Sequence, residues 1–172
     1  MISDLTIQTL VADSISLLRQ LVATPSLSRE ESASAVILNE FLSDRGVPTQ
    51  RLKNNVWAQN LHFIPEKPTI LLNSHHDTVK PNQGYTRDPF SPDVVDGKLY
   101  GLGSNDAGGA LVSLLATFLH FYGKTGLPFN IMYAATAEEE ISGKDGVELV
   151  LPRLGNIDAA IVGEPTQMQM AI

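Results

Sequence analysis

The sequence predicts an α/β fold of three layers, a sheet between helices, and three observations carry that expectation. Apolar runs of strand length at residues 69–73, 130–135 and 159–162 alternate with longer stretches whose apolar residues recur at helical spacing. Each run leads into a turn bearing histidine, acidic or glycine residues. No internal repeat or low-complexity segment breaks the alternation. Strands that alternate with helices pair in parallel and need cover on both faces.

Each element has its own signal. Between residues 4 and 23, Leu5, Leu10, Ile15, Leu17, Leu18, Leu21 and Val22 mark roughly one helical face, ended by Thr24-Pro25-Ser26. Ser28, with Glu31 three positions on, has the form of a capping box and predicts a helix from Arg29 to Arg45. Gly46 supplies its left-handed stop, with Pro48 beyond. Residues 50–61 alternate loosely and predict a hairpin around Lys53-Asn54-Asn55. The run at 69–73, flanked by Pro68, reads as a central strand. Residues 80–97 hold Pro81, Pro89, Pro92 and three aspartates and predict a long ordered loop, followed by a brief strand at 99–101. Residues 107–122 are apolar almost all round and predict a helix buried over most of its surface. A second central strand at 130–135, a short helix at 146–154 and a strand within 157–163 follow. Another alternating run starts at Met168, and the sequence stops within it. This predicts the front portion of a larger protein.

Composition narrows the function. The chain has 172 residues, enough for one domain with a real core, and its 43% hydrophobic and 18% charged content are those of a globular protein. A formal net charge of −7 argues against broad electrostatic binding of nucleic acid or an anionic membrane. With no cysteine, neither disulfides nor thiolate metal sites can form, so any metal must be held by His, Asp and Glu. The amino terminus lacks the basic-then-apolar form of a secretory signal, and no apolar run reaches the ~20 residues of a membrane span. A soluble cytoplasmic protein is expected.

Four segments carry chemistry: Ser74-His75-His76-Asp77-Thr78-Val79, Ser104-Asn105-Asp106-Ala107-Gly108-Gly109, Ala137-Glu138-Glu139-Glu140 and Val162-Gly163-Glu164-Pro165-Thr166. All sit at the ends of expected sheet elements, the edge where α/β proteins assemble sites. His75 and Asp77 share one side of an extended chain, so one can bind a metal while the other orients the imidazole. A strand-end histidine satisfied by a neighbouring aspartate is the plain alternative, and His76, facing the other way, reads as that plain case. Gly101-Leu102-Gly103 before a helix resembles a dinucleotide loop. However, Asp106 holds the third glycine position and would set a carboxylate against a pyrophosphate. Taken alone, Asp106 reads as a helix cap. Three consecutive glutamates are either a solvated loop or a divided pair, one binding a cation while its neighbour takes a proton from water. Gly163-Glu164-Pro165 taken alone is a turn.

Together, His-x-Asp-Thr-Val, Gly-x-Gly-x-x-Asp, Ala-Glu-Glu-Glu and Gly-Glu-Pro-Thr, in this order, resemble the di-zinc metallopeptidase family of acetylornithine deacetylase. That family includes succinyl-diaminopimelate desuccinylase, aminoacylase and glutamate carboxypeptidase. The resemblance implies the amino-terminal part of a zinc-exopeptidase-like (phosphorylase/hydrolase-like) catalytic domain over residues 1–172, with the lid or dimerisation domain outside this chain. It implies that His75, Asp106, Glu140 and Glu164 bind two divalent ions, with Asp106 bridging them, and that zinc is the ion, cobalt or manganese being acceptable. By the same resemblance Asp77 orients His75 and Glu139 is the general base. Leu102 stands where the family often has arginine, and Asp106-Ala107-Gly108-Gly109 replaces its usual Asp-Met-Lys-Gly. The family's last histidine ligand has no counterpart, since His62, His75, His76 and His120 all precede Glu164.

The resemblance therefore implies a metal-dependent amidohydrolase that acts on an N-acyl amino acid, nearest to the acetylornithine deacetylase branch of arginine biosynthesis. It also implies a cytoplasmic homodimer at full length. A di-/tripeptidase or carboxypeptidase of the same family is the enzymatic alternative. A catalytically incompetent fragment or metal-binding module is the other, because the chain alone lacks a ligand.

Overall fold

The structure, a computed structural model, describes residues 6–166. Helix α1 (Ile7–Val22) is capped by Thr6, whose hydroxyl accepts the Thr9 N–H, and buries Leu10, Leu17, Leu18, Leu21 and Val22. Helix α2 (Ser32–Ser43) follows, and Gly46 takes the left-handed conformation expected of it (φ +71°). Strands β1 (Gln50–Leu52) and β2 (Asn55–Gln59) form the expected hairpin, turning at Lys53 with φ +54°.

Strand β3 (Thr69–His75) and strand β6 (Asn130–Thr136) run parallel, His75 opposite Thr136, with every residue of β6 buried. Between them lie a small hairpin, β4 (Val94–Val95) and β5 (Lys98–Leu99), and helix α3 (Gly109–Tyr122). Helix α4 (Val147–Leu154) leads to β7 (Ala159–Val162), parallel to β3. The main sheet has the order β1-β2-β6-β3-β7.

Alternation along the strands divides the core into two layers. Ile131, Tyr133 and Ala135 face α1, α2 and α3 with Leu72, Val56 and Ala58. Met132 and Ala134 face α4 with Leu71, Trp57, Val150 and Leu154. Burial on both faces explains the continuous apolar runs of β3 and β6. The run at 159–162, expected as a buried strand, is instead the edge strand β7 among the described residues and is exposed along its length.

Several expectations are corrected. Helix α2 starts at Ser32, not Arg29, and Glu31 makes no side-chain cap to it. The Ser28 hydroxyl instead donates to Asp77 Oδ2 (2.7 Å), 49 residues away, so the capping box does not form. Helix α3 starts at Gly109, after a kinked segment in which Asp106 is extended (φ −114°, ψ +100°) and its peptide bond to Ala107 is cis. Asp106 is therefore no helix cap. Helix α3 is buried over most of its surface, as expected, apart from an exposed stripe of Ser113 and Thr117, each donating to the carbonyl four residues back. The loop at 80–97 ends in the β4–β5 hairpin, turned by Asp96-Gly97, both at positive φ. The expected start of α1 at Asp4 and the run from Met168 lie outside the described residues.

Candidate active site

The parallel strands β3, β6 and β7 end on one edge, and the segments beyond them converge there. His75 is the last residue of β3, and Asp77 stands two further on. Glu139 and Glu140 open a single 3₁₀ turn beyond β6, and Glu164 lies two residues past β7. Asp106 arrives from the kinked segment before α3.

The six predicted site residues meet around one buried imidazole. His75 Nε2 lies 3.2 Å from Asp106 Oδ1 and 3.7 Å from both Glu139 Oε2 and Glu164 Oε2. On the other side, Nδ1 lies 3.0 Å from the Asp77 carbonyl and 3.4 Å from its Oδ1. Both neighbours accept only, so Nδ1 carries a hydrogen; Nε2 faces Asp106, Glu139 and Glu164, donating to Asp106 while the ring is protonated and offering its lone pair to a cation once that proton is lost. Two triads have donor atoms within 4.8 Å of one another: His75, Asp106 and Glu140, and His75, Glu139 and Glu164. They meet at His75. A cleft of about 420 Å³, lined in part by His75, Thr136, Glu139, Val147 and Glu164, opens onto the cluster. A larger cleft of about 720 Å³, with Arg29, Lys53 and Lys144 on its walls, lies behind the acidic turn and includes neither His75 nor Asp106.

Local contacts hold these side chains in place. Asp77 accepts the Glu139 N–H at Oδ1 (3.0 Å) and, at Oδ2, the Glu140 N–H (3.2 Å) and the Ser28 hydroxyl (2.7 Å). One carboxylate thus supports both the imidazole and the acidic turn. Glu138 sits in the left-handed region (φ +55°), a conformation that costs a non-glycine residue on the order of 1–3 kcal/mol and clusters at functional sites. Ser74 Oγ donates to the Gly163 carbonyl (2.8 Å), tying the Glu164 arm to β3. A Cβ on Gly163 would lie 2.9 Å from both Ala110 Cβ and Leu114 Cδ1, so only glycine fits against α3. His76 is the plain case: buried, with Nε2 on the Asn54 carbonyl (2.9 Å) and Nδ1 on Ser34 Oγ (2.9 Å), its pKa lowered by burial.

The electrostatics of the cluster suit a cation. Burial by itself would lower the His75 pKa, but the hydrogen bond and charge of Asp77, with the charges of Glu164 and Glu139, lift it to about 9. Burial would raise the Asp77 carboxyl, and its bonds from His75, Ser28 and the Glu139 amide outweigh that and hold it below the usual range. Glu140 and Glu164 are pushed up, first by burial and then by neighbouring carboxylates: Asp106 on Glu140, and Glu139 and Asp106 on Glu164. Among the described residues no lysine or arginine pairs with Asp106, Glu139, Glu140 or Glu164, and the one cationic partner is His75. An imidazole facing carboxylates that lack other cations is a donor set that suits divalent zinc, cobalt or manganese.

Sequence reasoning missed Glu31 and Ser28 as neighbours of this site. Their spacing is that of a local cap, and nothing local distinguishes a cap from a long-range contact.

An α/β sheet with a histidine–carboxylate cluster at the carboxyl ends of its parallel strands defines the class, an α/β protein with a candidate metal site at its sheet edge. The sequence profile of the family described as Peptidase family M20/M25/M40 matches residues 71–172, and the chain belongs to that family. It is 29% identical over 170 residues to a succinyl-diaminopimelate desuccinylase of Delftia acidovorans, covering 90% of this chain and 44% of the relative. Its fold matches an M20 metallo-carboxypeptidase of Sulfolobus solfataricus with TM-score 0.72 at 23% identity, over 87% of this chain and 37% of that one. It also matches a dinuclear metal-binding M20 peptidase of Bacillus subtilis with TM-score 0.67 at 20% identity, over 90% and 43%. The chain spans less than half the length of these relatives. Among the described residues no helix is long and apolar enough to cross a membrane.

Proposed function

We propose that the protein is a metal-dependent amidohydrolase that cleaves the amide bond of an N-acylated amino acid. The observation that carries this reading is the buried His75, whose Nε2 faces three carboxylate side chains without a lysine or arginine among the described residues to balance them. His75, Asp106, Glu140 and Glu164 would hold two divalent cations, zinc being the proposed ion. When bound, these supply Lewis acidity and a water of lowered pKa.

The chain's own residues do the rest. Asp77 holds the imidazole by Nδ1 so that Nε2 points into the cluster. Through the N–H groups of Glu139 and Glu140, it also sets the turn on which both carboxylates ride. Glu139, half exposed at the cleft, accepts the proton of the attacking water and returns it to the leaving amine. Two acyl groups fit this reading. Acetyl follows from the resemblance of the motifs to acetylornithine deacetylase, in arginine biosynthesis, and succinyl from the likeness to the Delftia desuccinylase. A cytoplasmic homodimer is part of the same proposal.

The test is hydrolysis by the full-length protein of N-acetylornithine, N-succinyl-diaminopimelate and a set of dipeptides, with zinc and after chelation. The expected result is chelator-sensitive release of acetate or succinate. Dipeptide cleavage alone would reassign the substrate to the peptidase side of the family. Hydrolysis of none of them would remove the proposal.

A further inference from the structure

The acidic turn after β6 has a second support that the proposed mechanism does not use. Four consecutive N–H groups donate not to strand or helix but to side chains: Ala137 to Asn55 Oδ1 (3.0 Å), Glu138 to Glu31 Oε1 (3.2 Å), Glu139 to Asp77 Oδ1 (3.0 Å) and Glu140 to Asp77 Oδ2 (3.2 Å). Buried N–H groups need partners, and here two carboxylates and an amide supply all of them.

Glu31 is the unexpected member. It is fully buried (0% exposed) and, among the described residues, has no cationic partner. Three donors satisfy it instead: the Arg29 N–H (2.7 Å) and Glu138 N–H (3.2 Å) at Oε1, and Asn54 Nδ2 (2.8 Å) at Oε2. Such charge-assisted bonds are what let a carboxylate stay inside a protein without a counter-ion. Although Glu31 occupies the residue before α2, its side chain makes no cap to that helix. It ties three loops together, 28–31, 53–55 and 137–140.

The contact at Glu138 is the one with consequences. Glu138 is left-handed (φ +55°), and this single residue turns the chain out of β6 so that the next two side chains reach His75. Gly143 closes the turn from beyond: its N–H donates to the Glu138 carbonyl (2.8 Å), and a Cβ there would lie 2.5 Å from Glu138 Cβ. Glu31 holds the same residue by its N–H. We infer that Glu31 is a positioning residue for Glu139 and Glu140, its buried carboxylate fixing the left-handed turn that brings both to His75. The inference rests on the hydrolase reading only for what the turn delivers; the clamp itself is a matter of geometry.

Two readouts on the full-length protein test it. Glu31→Ala removes the acceptor. Glu31→Gln keeps an oxygen for the Arg29 and Glu138 N–H groups and offers an amide to Asn54, whose own amide turns to receive it. By hydrogen exchange, Glu31→Ala should speed exchange in the peptide 137–142 about tenfold, with β3 and α3 unchanged, and Glu31→Gln should not. At saturating zinc, on whichever of N-acetylornithine or N-succinyl-diaminopimelate the parent cleaves, kcat should fall about tenfold or more in Glu31→Ala with KM little changed. Glu31→Gln should restore it. If Glu31→Ala does not fold, Glu31→Asp, one methylene too short to span Arg29 and Glu138, carries the same expectations. Parent-like exchange at 137–142 in Glu31→Ala or, where that does not fold, in Glu31→Asp overturns the inference, as does a Glu31→Gln protein as impaired as Glu31→Ala. Absence of hydrolysis by the parent would count against the proposed function alone, because the exchange measurement still decides the role of Glu31.

Discussion

The two faces of the His75 ring carry the same residue type, an aspartate, in opposite settings. On the Nδ1 side Asp77 is fully enclosed (0% side-chain exposure), and both oxygens are taken by protein donors: the Glu139 and Glu140 N–H groups and the Ser28 hydroxyl. On the Nε2 side the Asp106 side chain is 54% exposed, and among the described residues its one partner is the imidazole itself. A carboxylate whose lone pairs are already used can orient a neighbour but has little left for an ion. A carboxylate left open beside other carboxylates is available to a cation. Burial and the hydrogen-bond tally thus separate an aspartate suited to positioning from one suited to binding, where residue identity does not.

The largest expected effect tests who binds and who acts on the open side. In the full-length protein Glu139→Gln should keep its metal content, measured by atomic absorption, while kcat falls on the order of 10²–10⁴-fold. Loss of metal with activity would make Glu139 a ligand, as its place in the second triad permits, and near-normal turnover would remove it from the mechanism.

The next effect is in pH. In the metal-free protein the His75 pKa is raised to about 9 from 6.5, and a cation must displace that proton. Apparent metal affinity should therefore rise about tenfold per pH unit between these values and level off above the higher one. The stability of the metal-free protein should move the opposite way. A raised folded-state pKa contributes stability that is fully present below 6.5 and is lost as pH rises through about 9. Competition with a chelator and thermal melts across this window check both signs, and flat profiles would break the picture of an imidazole held between opposed carboxylates.

The smallest effect sharpens the comparison between the two aspartates. Asp77→Asn sets an amide against N–H donors and should weaken metal binding roughly 10–100-fold. It should also lower the melting temperature of the metal-free protein and bring the His75 titration, followed by NMR, below 9. Asp106→Asn should also weaken metal binding, yet change the metal-free melting temperature much less. Equal losses of stability from both would erase the distinction.

Much of the site was legible because its residues stand where patterns change. The runs at 69–73 and 130–135 stop at residues of a different kind, so His75 and Glu139 could be placed at strand ends without knowing which strands are neighbours. Other features were readable only in part. The Asp96-Gly97 pair is an ordinary hairpin signal, overlooked within a proline-rich loop. The Ser28–Glu31 spacing suits a helix cap and a long-range clamp equally well. Choosing between them requires knowing that residues 77 and 138 lie alongside.

The sequence by itself determined the α/β class and the order of the elements, because these depend on period and turn chemistry, both local properties; it placed a histidine and carboxylates at the strand ends, and the division of roles among them came from the family resemblance. Only the tertiary structure decided the strand order β1-β2-β6-β3-β7, the extended rather than capping role of Asp106, and the enclosure of Asp77 and Glu31 around the turn after β6. Those depend on which distant N–H groups need an acceptor once the sheet closes over them, and that need has no local signature.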